Sequence, residues 1–208
     1  MTNLLCFGDS NTWGFVPNKN RRYTPSERWP GLLSQYLPEE WCIVEEGQPG
    51  RTSLYEDASC GFSCGLPALK SALKQHVPQR VIIMLGTNDL KTSFGLSAED
   101  ISHSTAKLVE EIQSSGVDGS DILLVAPPPI NEKGSFARLF FAGSEEKSRQ
   151  LAYYYQQRAK ELGCHFFDAG KVASACPDEG IHWQTEAHAE MAKAIAPILL
   201  NMPGEQRH

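Results

Sequence analysis

Short apolar runs alternate along this chain with longer stretches whose apolar residues recur every three or four positions. Leu4–Phe7, Ile43–Glu45, Val81–Leu85, Ile122–Val125 and His165–Phe167 are too short for helices and lie near turn-forming residues. They are predicted as strands. Helical periodicity predicts helices near Glu27–Tyr36, Gly65–His76, Ala98–Ser115, Glu145–Leu162 and Gln184–Leu200. Ser97-Ala98-Glu99-Asp100 and Ser144-Glu145-Glu146-Lys147 look like helix starts, with a capping hydroxyl and acids in the first turn. Strands alternating with helices imply right-handed crossovers and a parallel sheet covered on both faces. The expected fold is therefore α/β, a three-layer α/β/α sandwich with a five-stranded parallel sheet. No internal repeat, low-complexity run or linker interrupts it, so residues 1–208 are read as a single domain.

The ends of these strands carry the chemistry. Leu4–Phe7 runs into Gly8-Asp9-Ser10-Asn11-Thr12-Trp13-Gly14, which places a serine where open α/β sheets put their ligands. Gly-Asp-Ser by itself is an ordinary turn. Three further blocks follow in order: Glu46-Gly47-Gln48-Pro49-Gly50-Arg51-Thr52, Leu85-Gly86-Thr87-Asn88-Asp89 and Asp178-Glu179-Gly180-Ile181-His182-Trp183. All four lie after a predicted strand or in a late loop, so one sheet edge could gather them. A serine, a histidine and a nearby carboxylate are the parts of an activated nucleophile, because an oriented imidazole can take the hydroxyl proton. The chain reads as an esterase.

These blocks resemble those of the SGNH hydrolases, the GDSL esterase/lipase superfamily, and the resemblance runs from Phe7 to the terminal helix. Gly8–Gly14, Glu45-Glu46-Gly47, Ile83–Asp89, Pro127-Pro128-Pro129 and Phe166-Phe167-Asp168-Ala169-Gly170 are similar to the bacterial arylesterase and acyltransferase branch. The resemblance implies a flavodoxin-like strand order 2-1-3-4-5, hydrolysis of short-chain esters, and in some members acyl transfer to alcohols. It also implies Ser10 as nucleophile and His182 as base, with the amides of Ser10 and Gly50 and the Asn88 side chain as an oxyanion hole. The chemistry of these residues is consistent with that. Gly50 offers an unobstructed backbone donor, and Asn88 a donor that carries no charge. Asp9 is read as a turn residue whose carboxylate bonds amides of the Ser10 loop.

One position departs from the pattern. The family's acid is usually Asp, three residues before the histidine, whereas here that position holds Glu179 and Asp178 stands four before. Glu179 keeps the register and is preferred; Asp178 would serve if the loop were shifted by one.

The net charge of −6, with no basic stripe, excludes a nucleic-acid partner and electrostatic docking to anionic lipid. No segment reaches the length of a membrane span, and no basic region precedes Leu4, so a cytoplasmic protein is expected. Cys6, Cys42 and Cys164 fall beside apolar strand runs and are expected as small buried hydrophobes. Cys60, Cys64 and Cys176 are expected as reduced thiols, because the spacing of Cys60 and Cys64 matches no ordinary zinc site. His76 and His103 lie on helix-like surface stretches, His165 starts a strand, and His188 is expected at the surface or in packing. Neither metal nor cofactor is expected.

Trp13, Phe15 and Trp183 flank the expected serine and histidine and are predicted to wall a small pocket; the alternative is that they plug the sheet edge. The connection from Pro127 to Gly143 holds the apolar cluster Phe136-Ala137-Arg138-Leu139-Phe140-Phe141. It could roof the pocket, pack into the core or form a subunit contact, and the related branch often forms homo-oligomers. The partner expected at the site is a small-molecule ester. Two rivals stand beside the short-chain esterase: a carbohydrate acetyl esterase with the same reacting residues, and a non-catalytic flavodoxin-type binding protein. The second would need a glycine-rich phosphate loop, and none is present.

Overall fold

In the interior strands almost every residue is apolar, which suits a strand covered on both faces. The computed structural model describes residues 2–57 and 64–203. Five strands, β1 (Thr2–Gly8), β2 (Trp41–Gly47), β3 (Arg80–Met84), β4 (Ile122–Ala126) and β5 (His165–Asp168), form one parallel sheet in the order β2-β1-β3-β4-β5. β3 and β4 are buried along their whole length, while the edge strands β2 and β5 are half-buried. The expected order is the observed one.

Alternate residues feed two cores. Leu5 and Phe7 of β1, with Val81 and Ile83 of β3, face α3 (Gly65–His76), α4 (Ala98–Ser114) and α6 (Glu145–Leu162). Leu4 and Cys6, with Ile82 and Met84, face α2 (Trp29–Leu32) and α7 (Thr185–Asn201). Such a period-two split fixes the register, because a one-residue slip would exchange the two faces.

The register matters for the site. Gly8 lies opposite Gly47 on one side and Met84 on the other, so β1, β2 and β3 end level with one another. Three of the four blocks therefore begin at the same edge.

Several local expectations need correction. The helix expected over Glu27–Tyr36 shrinks to α2 plus a 3₁₀ turn at Leu33–Gln35. Pro30 has no amide hydrogen and fits only the first turn, which fixes the start at Trp29. Ser97 makes a full capping box with Asp100, as a helix start should. Ser144 does not cap: its hydroxyl donates to the Leu90 carbonyl at 2.7 Å instead. Cys42 is exposed because it lies on the edge strand β2, and Cys164 is only partly buried. Cys64 carries a free thiol, and Cys60 lies outside the described residues. Of the two places expected for His188, the surface or the packing, it takes the second and is completely buried. Among the described residues no helix is long and apolar enough to cross a membrane.

Candidate active site

Asp9 ends the run of β1, and its side chain accepts the Asn11 amide at 2.9 Å. That bond caps a four-residue helix, α1 (Ser10–Trp13), which is too short for periodicity to reveal. Ser10 sits at its first position. The Ser10 Oγ lies 3.0 Å from His182 Nε2, and His182 Nδ1 lies 2.6 Å from Glu179 Oε1. The other Glu179 oxygen accepts the amides of Ile181 and His182 at 2.9 and 2.7 Å. Burial opposes ionisation of Glu179, but the bonds from the His182 ring and these amides outweigh it and hold its carboxyl below the ordinary glutamate range. Asp178 is exposed, and its carbonyl rather than its carboxylate is engaged, accepting from Ser135.

The loop after β2 brings in Gly50. Its φ of 78° lies in the left-handed region that glycine enters at no steric cost. Next to it, the buried Arg51 ties the loop to the sheet by donating to the carbonyls of Gly8 (2.9 Å) and Glu46, with its guanidinium 4.2 Å from the Phe7 ring centroid. Burial lowers its pKa to about 10. The Arg51 carbonyl accepts from Asn88 Nδ2 at 3.1 Å, which sets the plane of the Asn88 amide. Asn88 is further fixed through its neighbour: Asp89 accepts both the amide and the hydroxyl of Ser53. Burial raises the carboxyls of both Asp9 and Asp89 to about 6, against the hydrogen bonds that favour their ionised forms.

Ser10, Gly50, Asn88, Glu179 and His182 all line one cavity of about 390 Å³, within the range that holds a small molecule. Phe15 forms part of its wall, with its ring centroid 4.5 Å from that of His182. The other two aromatic residues expected there are elsewhere. Trp183 is completely buried in the core beneath the sheet, 5.3 Å from the His188 ring, because its backbone is held at the site while its ring turns inward. Trp13 is half-buried beneath the Arg22 guanidinium, outside the cavity lining.

Their place is taken by Phe136, on α5 (Ser135–Phe140), whose ring lies 5.9 Å from His182. The cluster after Pro127 thus divides three ways. Phe136 walls the cavity, Ala137 and Phe141 enter the core, and Leu139 and Phe140 remain exposed. Phe136 thus meets one of the alternatives open for its cluster, a roof over the pocket, whereas no role was expected for Arg51 or Asn11. Arg51 stood beside Gly50 in a recognised block, while the apolar run after Pro127 marked the cluster without singling out Phe136 as the ring at the cavity. Lys91 also lines the cavity, with its ammonium 2.5 Å from Asp57 Oδ2.

A model of the GDSL-like lipase/acylhydrolase family matches residues 6–190. The chain belongs to this family, and it is a GDSL-type esterase. An arylesterase from Vibrio mimicus is 26% identical to it over 200 residues, covering 95% of this chain and 88% of the relative. The solved structure of an aryl esterase from M. smegmatis is 35% identical with a TM-score of 0.90, covering 98% of this chain and all of that one. A carbohydrate acetylesterase from Sinorhizobium meliloti is 34% identical with a TM-score of 0.89, covering 96% and 99% of the two chains. In this chain the four sequence blocks meet at one cavity, through Ser10, Gly50, Asn88, Glu179 and His182.

Proposed function

We propose that this esterase hydrolyses short-chain carboxylic esters through an acyl-enzyme on Ser10. The observation that carries the reading is the chain of hydrogen bonds from Ser10 through His182 to Glu179, opening on a cavity walled by Phe15 and Phe136. Ser10 Oγ attacks the ester carbonyl carbon while His182 Nε2 takes its proton. Glu179 orients the ring and stabilises its cationic form. The amides of Ser10 and Gly50 and the Asn88 side chain receive the charge that builds on the carbonyl oxygen; losing one such donor typically costs about 3 kcal/mol. The alcohol leaves with the proton from His182, and water then attacks the acyl-enzyme by the same route in reverse. Apolar walls favour an alcohol over water at that second step, which supports acyl transfer when alcohol is abundant. They also support acetate and butyrate over long acyl chains. The exposed Leu139 and Phe140 on α5 support a homo-oligomer.

The test is Ser10→Ala together with labelling by a fluorophosphonate. The variant should keep its circular dichroism spectrum and lose nearly all ester hydrolysis, and only the wild type should be labelled. Substantial residual turnover in a folded Ser10→Ala protein would reduce the serine to a turn residue. A second reading, deacetylation of sugars, draws support from the likeness to the Sinorhizobium structure and from the polar residues Asn18, Lys19 and Asn20 at the cavity.

A further inference from the structure

Between α1 and α2 the chain makes a small hairpin whose construction exceeds what a connection needs. Phe15 and Arg22 pair as an antiparallel bridge, and the Val16 amide donates to the Arg21 carbonyl at 3.1 Å. Glu45 of β2 anchors the base: Arg28 meets it through Nε at 2.5 Å and Nη2 at 2.8 Å, and Arg22 at 2.9 Å. Arg22 Nε also donates to the Trp13 carbonyl at 2.6 Å, and Arg28 to the Tyr23 carbonyl at 2.8 Å. The carboxylate is only partly withdrawn from water, with Arg28 on its buried side and Arg22 on its more open one. What it secures is the position of the stem, and therefore of Phe15 against His182. The tip is the opposite in character. Asn18, Lys19 and Asn20 are exposed, and all three line the cavity that holds Ser10.

We propose that the hairpin from Phe15 to Arg22 is the subsite for the alcohol half of the ester, and that its polar tip selects the alcohol. The inference rests on the esterase reading of Ser10 and His182 given above. In acylation the bond from Ser10 Oγ to the carbonyl carbon forms, and the bond from that carbon to the alkoxy oxygen breaks. The proton that His182 took from Ser10 passes to the alkoxy oxygen. That oxygen must therefore come within hydrogen-bond reach of His182 Nε2, about 2.6–3.2 Å. Whatever continues from it runs along the flank of the imidazole, where Phe15 lies at 4.5 Å between centroids and Phe136 at 5.9 Å. Further out it meets the amide and ammonium donors of the tip. The hairpin thus fits an alcohol with a weakly polar face beside the ester oxygen and hydrogen-bond acceptors on its outer edge. A hydroxyl-bearing alcohol such as a sugar or polyol has that form, whereas ethanol offers the tip no acceptor beyond the ester oxygen itself.

The experiment compares four esters on the wild type and on an Asn18→Gly/Lys19→Ala/Asn20→Ala variant. Glycine at position 18 preserves the backbone, whose φ there is 57°. The ratio of kcat/KM on a monoacetylated xyloside to that on ethyl acetate should fall about three- to tenfold, the range for losing one or two ordinary hydrogen bonds. The loss should appear in KM. The ratio of phenyl acetate to phenyl butyrate should stay within about twofold, since the acyl half points elsewhere. Lys19→Ala alone should move the first ratio in the same direction, which guards against a folding defect in the triple variant. A change in the acetate-to-butyrate ratio would put the hairpin on the acyl side and overturn the proposal. So would an unchanged xyloside-to-ethyl ratio. Failure of the underlying reading looks different: the wild type itself would hydrolyse none of the four esters and resist fluorophosphonate.

Discussion

Asn11 grips His182 from both sides. Its Nδ2 donates to the carbonyl of Ile181 at 3.2 Å, and its Oδ1 accepts the amide of Trp183 at 3.2 Å. The residue next to Ser10 in sequence thus holds both peptide groups that flank the histidine, 171 positions away from it. Removing the side chain leaves two buried backbone groups unpaired, a cost of about 1–3 kcal/mol each. Asn11→Ala should therefore lose both stability and turnover, as chemical denaturation and steady-state kinetics on one aryl acetate would show. Asn11→Asp keeps the acceptor and loses the donor, and should fall between the two. Wild-type turnover in Asn11→Ala would mean that His182 is placed by Glu179 alone.

The acid beside His182 gives a sharper contrast. Glu179 contacts the ring and two amides, while Asp178 uses only its backbone. Glu179→Gln should lower kcat by about 10²- to 10⁴-fold with little change in KM, since the carboxylate acts on a charge that exists only in the transition state. Asp178→Asn should stay within about twofold of wild type. The reverse pattern would show that the loop is offset by one residue in the working enzyme.

Gly134 offers a steric test of the same loop. A Cβ there would lie 2.3 Å from the Glu179 carbonyl carbon and 2.4 Å from the Gly180 nitrogen, both backbone atoms that cannot swing aside. The amides of Phe136 and Ala137 also donate to the Glu179 carbonyl, each at 3.1 Å. Gly134→Ala should push the acid away from His182 and reduce kcat at least about tenfold in a protein that still folds. Circular dichroism with kinetics would check both halves, and an unaffected kcat would show that the two loops separate freely.

Asp9 and Asp89 set a pH dependence of stability. Burial raises both folded pKa values to about 6, above the ordinary 3.8 of the unfolded chain. Between those values the native protein binds more protons, so stability falls as pH rises through that window. Each group contributes up to about 3 kcal/mol. His188 opposes them across the same window, because burial lowers its pKa from 6.5 to about 3 and the unfolded chain there binds more protons. The test is therefore a difference: the urea midpoint of the wild type relative to that of Asp89→Asn should fall from pH 4.5 to 6.5. Glu179 acts in the opposite sense: its stabilisation is present above 4.5 and is lost as pH falls through its lowered folded value. The chosen window avoids it. An unchanged slope in Asp89→Asn would count against a buried, reluctantly ionised carboxylate.

The sheet was legible because its interior strands are written as unbroken apolar runs and its turns as Gly, Pro and Asn. The convergence of Ser10, Gly50, Asn88, Glu179 and His182 on one cavity was legible for a related reason, since each lies in a block at a strand end or in the last loop. The pocket walls were not. Neighbourhood in sequence suggested Trp183, but the ring beside a histidine can turn either way, and here it turns into the core. Phe136 reaches the cavity through the path of a long connection, which no periodicity describes. Asn11 was hidden by its ordinariness as a turn residue, and its use depends on two peptide groups far along the chain.

The order of strands across the sheet also bears on how the enzyme comes into being. β1 is made early yet sits between β2 and β3, and Ser10 at its end waits for a histidine that lies 172 positions later. Synthesis runs from the N-terminus, and folding tends to follow it. On the proposed roles of Ser10 and His182, the hydroxyl can be shaped long before its base exists, and no fragment that stops short of His182 should be able to use it. On the same proposal, ester hydrolysis would double as a signal that synthesis has passed the loop of His182 and that this loop has met the end of β1.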